Sequence, residues 1–248
     1  MPKRDLVFAK PMMNAAGVLG FAPNFRDSLP WNDFGAFFTN PIGQHPRLPA
    51  SSPELIEYPG GLLLHTGLPN PGFKSGLKKF TGQWARSHLP VVIHLMADRP
   101  EETVHMVRSL EGFENILAVE LGLAPKLSDD ILVLGVEMCL GELPLIVNLP
   151  AERLLGLGPR LMDAGAAALS LAAPRGTLLG RDGSLVSGRL YGPSLFPQAL
   201  EIVKAAARLG LPVIASNGIS SGLNSIQMLQ AGAMAFQLDT FLWGNVTT

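Results

Sequence analysis

Short apolar runs alternate with helix-length segments along almost the whole chain. Runs of this kind fall at residues 11–16, 36–40, 90–96, 116–122, 144–148, 167–172, 212–216 and 235–238, each short enough for a buried strand. Between them, residues 101–110 and 129–139 are helical by spacing. Residues 197–209 start with Pro197 and stop before Gly210, and residues 221–231 start at Ser221 and stop before Gly232. Pro near the first turn and Gly behind the last is the usual cap asymmetry of a helix. Strand and helix in alternation predict an α/β protein, and eight strands predict a closed (β/α)8 TIM barrel.

Two stretches break the alternation. Residues 41–76 are rich in Pro, Gly and Ser, and residues 173–194 are rich in Gly and Arg. Both are read as long irregular loops, which in a barrel lie on the catalytic face. Only eight residues follow Thr240. A full eighth helix is therefore not expected, and a partner subunit or further residues would have to cover that side.

Composition narrows the class. The chain has 248 residues, 47% of them hydrophobic, with 27 Gly and 21 Pro spread along it, so a single domain spanning 1–248 is expected. A net charge of −1 with 16% charged residues excludes a basic nucleic-acid surface. No apolar stretch is long enough to cross a bilayer, and the N-terminal MPKRDLVFAK lacks the apolar core of a signal peptide. A cytoplasmic protein with no membrane partner is the expectation. The mean hydropathy of +0.27 points to a buried subunit interface, hence an oligomer.

The single cysteine, Cys139, precludes an internal disulfide or a thiolate metal cluster and is read as a small buried hydrophobe. His45, His88, His94 and His105 show no metal-ligand spacing, so no metal is expected. The segment from Leu211 to Thr240 carries the most chemistry. Two adjacent strand ends there, with the Asn217-Gly218 turn and a helix start between them, form a cradle of backbone N–H groups suited to phosphate. Asp239 places a carboxylate in that cradle.

Several motifs follow one another in an order that belongs to a known family. They are Lys10-Pro11 with Asn14-Ala15-Ala16-Gly17, then Gly67-Leu68-Pro69-Asn70-Pro71-Gly72, then Glu120-Leu121 with Ala124-Pro125. Leu145 to Leu149, Gly192-Pro193 with Pro197-Gln198-Ala199-Leu200, and Asn217-Gly218-Ile219 through Ala231-Gly232-Ala233 to Gln237-Leu238-Asp239-Thr240 complete the series. In this order and spacing the chain resembles the dihydroorotate dehydrogenase family, in its soluble FMN-containing branch. The resemblance implies a barrel holding FMN at its mouth, with a small-molecule ligand beside it. It also implies oxidation of dihydroorotate to orotate in pyrimidine biosynthesis, an oxidoreductase reaction on a CH–CH group.

The resemblance also assigns positions. Flavin contacts fall on Ala15, Gly17, Gly192, Gly218 and Thr240, and substrate contacts on Gly67, Leu68 and Asn70. The general base of the family, a Cys or Ser, corresponds to Ala124, so the catalytic base is unknown. The two lysines that approach the flavin correspond to Asn40 and Asn148, and Asn217 and Asp239 replace cradle glycines. Leu64 replaces a substrate-loop asparagine, with His65 beside it, and Arg175 follows the sixth strand as a candidate cation. Three functions stay open on these residues. One is a divergent FMN oxidoreductase. Another is a non-catalytic subunit of the same family. The third is a barrel repurposed for a cationic ligand drawn by Asp239 and Glu120.

Overall fold

The computed structural model describes residues 5–97, 99–123 and 127–245. In chain order, β1 (Met12–Asn14), β2 (Phe34–Phe38), β3 (Ile42–Gly43), β4 (Glu54–Tyr58) and β5 (Gly61–His65) precede α1 (Phe73–Ala85). Next come β6 (Val91–Ala97), α2 (Pro100–Leu110), β7 (Ile116–Leu123), α3 (Asp129–Cys139), β8 (Leu145–Leu149) and α4 (Ala151–Asp163). Then follow β9 (Ala168–Leu171), β10 (Arg175–Leu179), β11 (Leu185–Tyr191), α5 (Phe196–Arg208), β12 (Val213–Ala215), α6 (Gly222–Gln230) and β13 (Ala235–Leu238). A 3-10 turn, Thr240–Asn245, stands after β13, and no full eighth helix is present among the described residues. No helix among them is long and apolar enough to cross a membrane.

Eight strands close a parallel barrel in the order β1, β2, β6, β7, β8, β9, β12, β13, with β13 returning to β1. The eight runs read from the sequence are these strands, with bounds shifted by up to two residues. The register shifts between Met12 and Met13, where β1 meets β2. Asn14 mends the ladder there: its amide donates to the Phe38 carbonyl at 2.6 Å and accepts from the Phe38 N–H at 3.0 Å.

Strand alternation sorts side chains into two cores. Facing outward toward the helices, Phe37, Ile93, Val119, Val147 and Leu169 belong to the large cluster. One residue away in each strand, Met13, Ala36, Phe38, Val92, Ala118, Ile146, Ala168, Ile214 and Ala235 form the barrel interior. Two residues further along, still facing inward, the layer turns polar. Its members are His94, Glu120, Asn148, Ser170, Ser216 and Gln237.

The two stretches read as irregular loops are only partly so. They supply the strands of a second, antiparallel sheet in the order β10-β11-β5-β4. The hairpin β4–β5 turns at Pro59-Gly60, where Gly60 has φ 86, the pattern of a type II turn. The hairpin β10–β11 turns at Gly180–Ser184, where Asp182 accepts from the Ser184 N–H at 2.9 Å. Pairing of Arg189 with Leu64 and of Tyr191 with Leu62 joins the hairpins, although 125 and 129 positions separate these partners. Two helices also lie outside the predicted set. α1 begins inside the first loop stretch, and α4 carries Pro159 in its interior.

Candidate functional site at the barrel mouth

The C-terminal ends of the barrel strands meet the second sheet around a cavity of about 20 Å³. Ala15, His94, Asn148, Asn217 and Gln237 line it from the barrel, and Arg189 and Tyr191 line it from β11. Ligand sites for small molecules are roughly 300–1,000 Å³, so this space holds about one water. Larger clefts lie elsewhere. One of about 530 Å³ runs between α5 and α6, and one of about 570 Å³ surrounds Phe25 and His88, ahead of the starts of β2 and β6. Neither faces the strand ends where barrel chemistry is placed.

Beneath the cavity the polar layer is wired to one carboxylate. Glu120 is fully buried. His94 Nδ1 is 2.6 Å from its Oε2, Ser170 donates to Oε1 at 2.5 Å, and Gln237 Nε2 approaches Oε1 at 3.4 Å. The Asn148 amide donates to Ser170 Oγ at 2.9 Å. Glu120 therefore acts as the common acceptor, which puts a proton on His94 Nδ1. The His94 backbone N–H is satisfied by Thr39 Oγ1 at 3.0 Å.

Above the cavity, burial pushes the Tyr191 hydroxyl up from its ordinary value. Arg189, its hydrogen-bonding neighbour, pulls the other way, and the Asp239 charge adds to the rise. Asp239 itself is buried at the end of β13. Its Oδ2 lies 3.5 Å from the Gly218 N–H, a long contact, and its Oδ1 accepts from the Thr240 hydroxyl at 3.2 Å. The N–H groups of Thr240 and Phe241 also donate to it. Burial raises its pKa, and these donors lower it.

The other positions named from the sequence divide into two groups. Ala15, Asn148 and Asn217 line the cavity, and Gly218, Asp239 and Thr240 meet beside it. Asn217 and Gly218 both have positive φ, 74° and 79°. Asn40 turns away: its Oδ1 accepts from the Gly20 N–H at 3.0 Å, pinning the loop between β1 and β2 in which Gly17 lies. Gly192 sits at the base of the second sheet, where a Cβ would come within 2.4 Å of Gly61 Cα.

Gly67, Leu68 and Asn70 do not line the cavity. Asn70 Oδ1 is spent on the N–H groups of Gly43 and Gly72, at 3.1 and 3.0 Å, which locks its own loop. His65 pairs with Glu54 at the outer edge of the second sheet, and Arg175 is exposed. Ala124 lies outside the described residues. Cys139 is buried in α3. The sequence reading missed His94, Ser170, Arg189 and Tyr191. The first two carry a legible signal, since each stands two positions after an interior apolar residue of its strand (Val92 and Ala168).

Known proteins bear on this geometry. A family model described as Dihydroorotate dehydrogenase matches residues 4–125. The catalytic subunit of dihydroorotate dehydrogenase B (NAD(+)) from Pelobacter propionicus is 29% identical, over 95% of this chain and 84% of its own length. The proteins of the same name from Citrifermentans bemidjiense and Pyrococcus horikoshii are each 28% identical, over 93% and 95% of this chain and 82% and 84% of their own lengths. With the barrel and the ordered motifs, these matches make the chain similar to dihydroorotate dehydrogenases over nearly its whole length.

Proposed function

We propose that this chain keeps the family barrel without its flavin chemistry and serves as a non-catalytic subunit related to dihydroorotate dehydrogenase. The observation that carries this is the closed mouth, about 20 Å³ where a cofactor and a substrate would stand. The residues present do not fit FMN. A buried carboxylate already engages the donors a phosphate would need. Like charges about 4 Å apart repel by about 1–4 kcal/mol at effective dielectric constants between 80 and 20. Asn40 and Asn148 carry no charge to offer a reduced isoalloxazine, and their amides are engaged by Gly20 and Ser170. The position of the family base is Ala124, which cannot take a proton. The relatives are named as catalytic subunits, parts of larger assemblies. An oligomeric role for this chain, in the cytoplasm, fits that company and the apolar composition.

A second reading, FMN-dependent oxidation of a CH–CH bond, is favoured by the retained turn at Asn217-Gly218. One measurement separates the two. An absorption spectrum of the purified protein, repeated after incubation with excess FMN and removal of free cofactor, is expected to show no flavin. Retained flavin absorbance at near one equivalent would overturn the non-catalytic reading.

A further inference from the structure

Two strand ends converge on the Asp239 carboxylate. The N–H of Gly218 comes from the turn after β12, and the N–H groups of Thr240 and Phe241 and the Thr240 hydroxyl come from the turn after β13. Aspartate often caps a helical turn, and capping accounts for Thr240 and Phe241. It does not account for Gly218, which belongs to another strand end 21 residues earlier. Nor is the Gly218 backbone free to be anything else. At φ 79°, a Cβ there would lie 2.4 Å from the Phe196 N atom. Successive backbone N–H groups converging in a turn form an anion-binding concavity. Here the anion comes from the chain itself.

We propose that Asp239 is the resident anion of this cradle, an internal carboxylate standing where a phosphoryl group would otherwise bind. Removing it uncovers a site for a small phosphoryl anion. The inference rests on the non-catalytic reading above and deepens it, because it names the group that keeps external phosphates out. Tyr191 of the second sheet lies close enough for its hydroxyl to feel the Asp239 charge. Burial raises the pKa of the carboxyl, and the four donors oppose that rise.

The test compares the full chain with Asp239→Gly, titrating inorganic phosphate against chloride at matched ionic strength and following Tm and the phosphorus NMR line. A ligand that binds only the folded state raises Tm with concentration. The expected result is a phosphate-dependent rise of a few degrees and a broadened phosphorus line in the variant, with neither in the unsubstituted protein. Equal responses of the two proteins would overturn the inference and leave the flavin question untouched, since that is decided by the spectrum of the unsubstituted protein. If Asp239→Gly does not fold, NMR of the unsubstituted protein decides. The amides of Gly218, Thr240 and Phe241 are expected to shift with the same midpoint as the Asp239 carboxyl carbon. Amides indifferent to that titration would refute the cradle.

Discussion

His94 Nδ1 and Glu120 Oε2 stand 2.6 Å apart in the barrel interior, with both side chains almost wholly buried. Strand register places them side by side. A buried carboxylate without partners is costly, and removing one member of such a pair leaves the other stranded. Here Glu120 also serves Ser170 and Gln237, so its loss strands three donors at once.

Glu120→Ala is therefore expected to cost about 3–5 kcal/mol. For a chain of this length that is a fall in Tm of roughly 6–20 °C. Glu120→Gln keeps the volume and one acceptor but turns an amide toward the donors, so a smaller loss of about 1–3 kcal/mol is expected. Calorimetry of both variants checks the order. Equal stability of Glu120→Ala and the unsubstituted protein would mean that the polar layer is bridged by water instead.

Gly218→Ala tests the turn after β12. Its positive φ alone costs a non-glycine residue about 1–3 kcal/mol, and the added Cβ would meet backbone, which cannot swing aside. Urea unfolding is expected to show a loss above that range. The neighbouring Asn217 already has φ 74° and tolerates it, so Asn217→Gly is expected to be nearly neutral, apart from its lost bond to the Ala172 carbonyl.

The two tests concern residues of different legibility. Glu120 lies in a quoted motif, and its strand was read within one residue of its end. The barrel was visible because each strand is a short apolar run beside a helix, a local signal. β13 and α3 were even found at their exact bounds. The second sheet was invisible because its two hairpins find each other only in space. Their Gly and Pro residues read as loop, though they are the turn residues of hairpins. Arg189 and Tyr191 were lost with that sheet. The carboxylate beside the Gly218 turn, by contrast, was legible in one letter, Asp239, because the residues around it fix where strand β13 ends.

Cys139 is expected to be inert. It is 1% exposed, and burial pushes its thiol up to about 12, against a smaller opposing pull from Arg108. Thiolate is the reactive form, so a thiol-specific disulfide reagent at pH 8 should label the native protein only as fast as it unfolds, and one equivalent should react promptly in denaturant. Prompt labelling of native protein would show that α3 opens locally.

Asp239 gives the stability a pH dependence of known sign. Its folded pKa lies above the ordinary carboxylate value, chiefly through burial, so the folded state holds the proton more tightly than the unfolded chain. The stability this confers is fully present below the ordinary aspartate pKa and is lost as pH rises through the raised folded value. Tyr191 of β11 feels the charge of the group, and burial raises its own hydroxyl further above that window. Asp239→Asn removes the titration. The difference in unfolding free energy between Asp239→Asn and the unsubstituted protein is therefore expected to move in favour of the variant as pH rises from about 4 toward neutrality, as measured by urea unfolding at successive pH values. Other carboxylates titrate in both proteins and cancel in the difference. A difference that moves toward the unsubstituted protein would mean that the N–H donors outweigh burial and hold the carboxyl below its ordinary value.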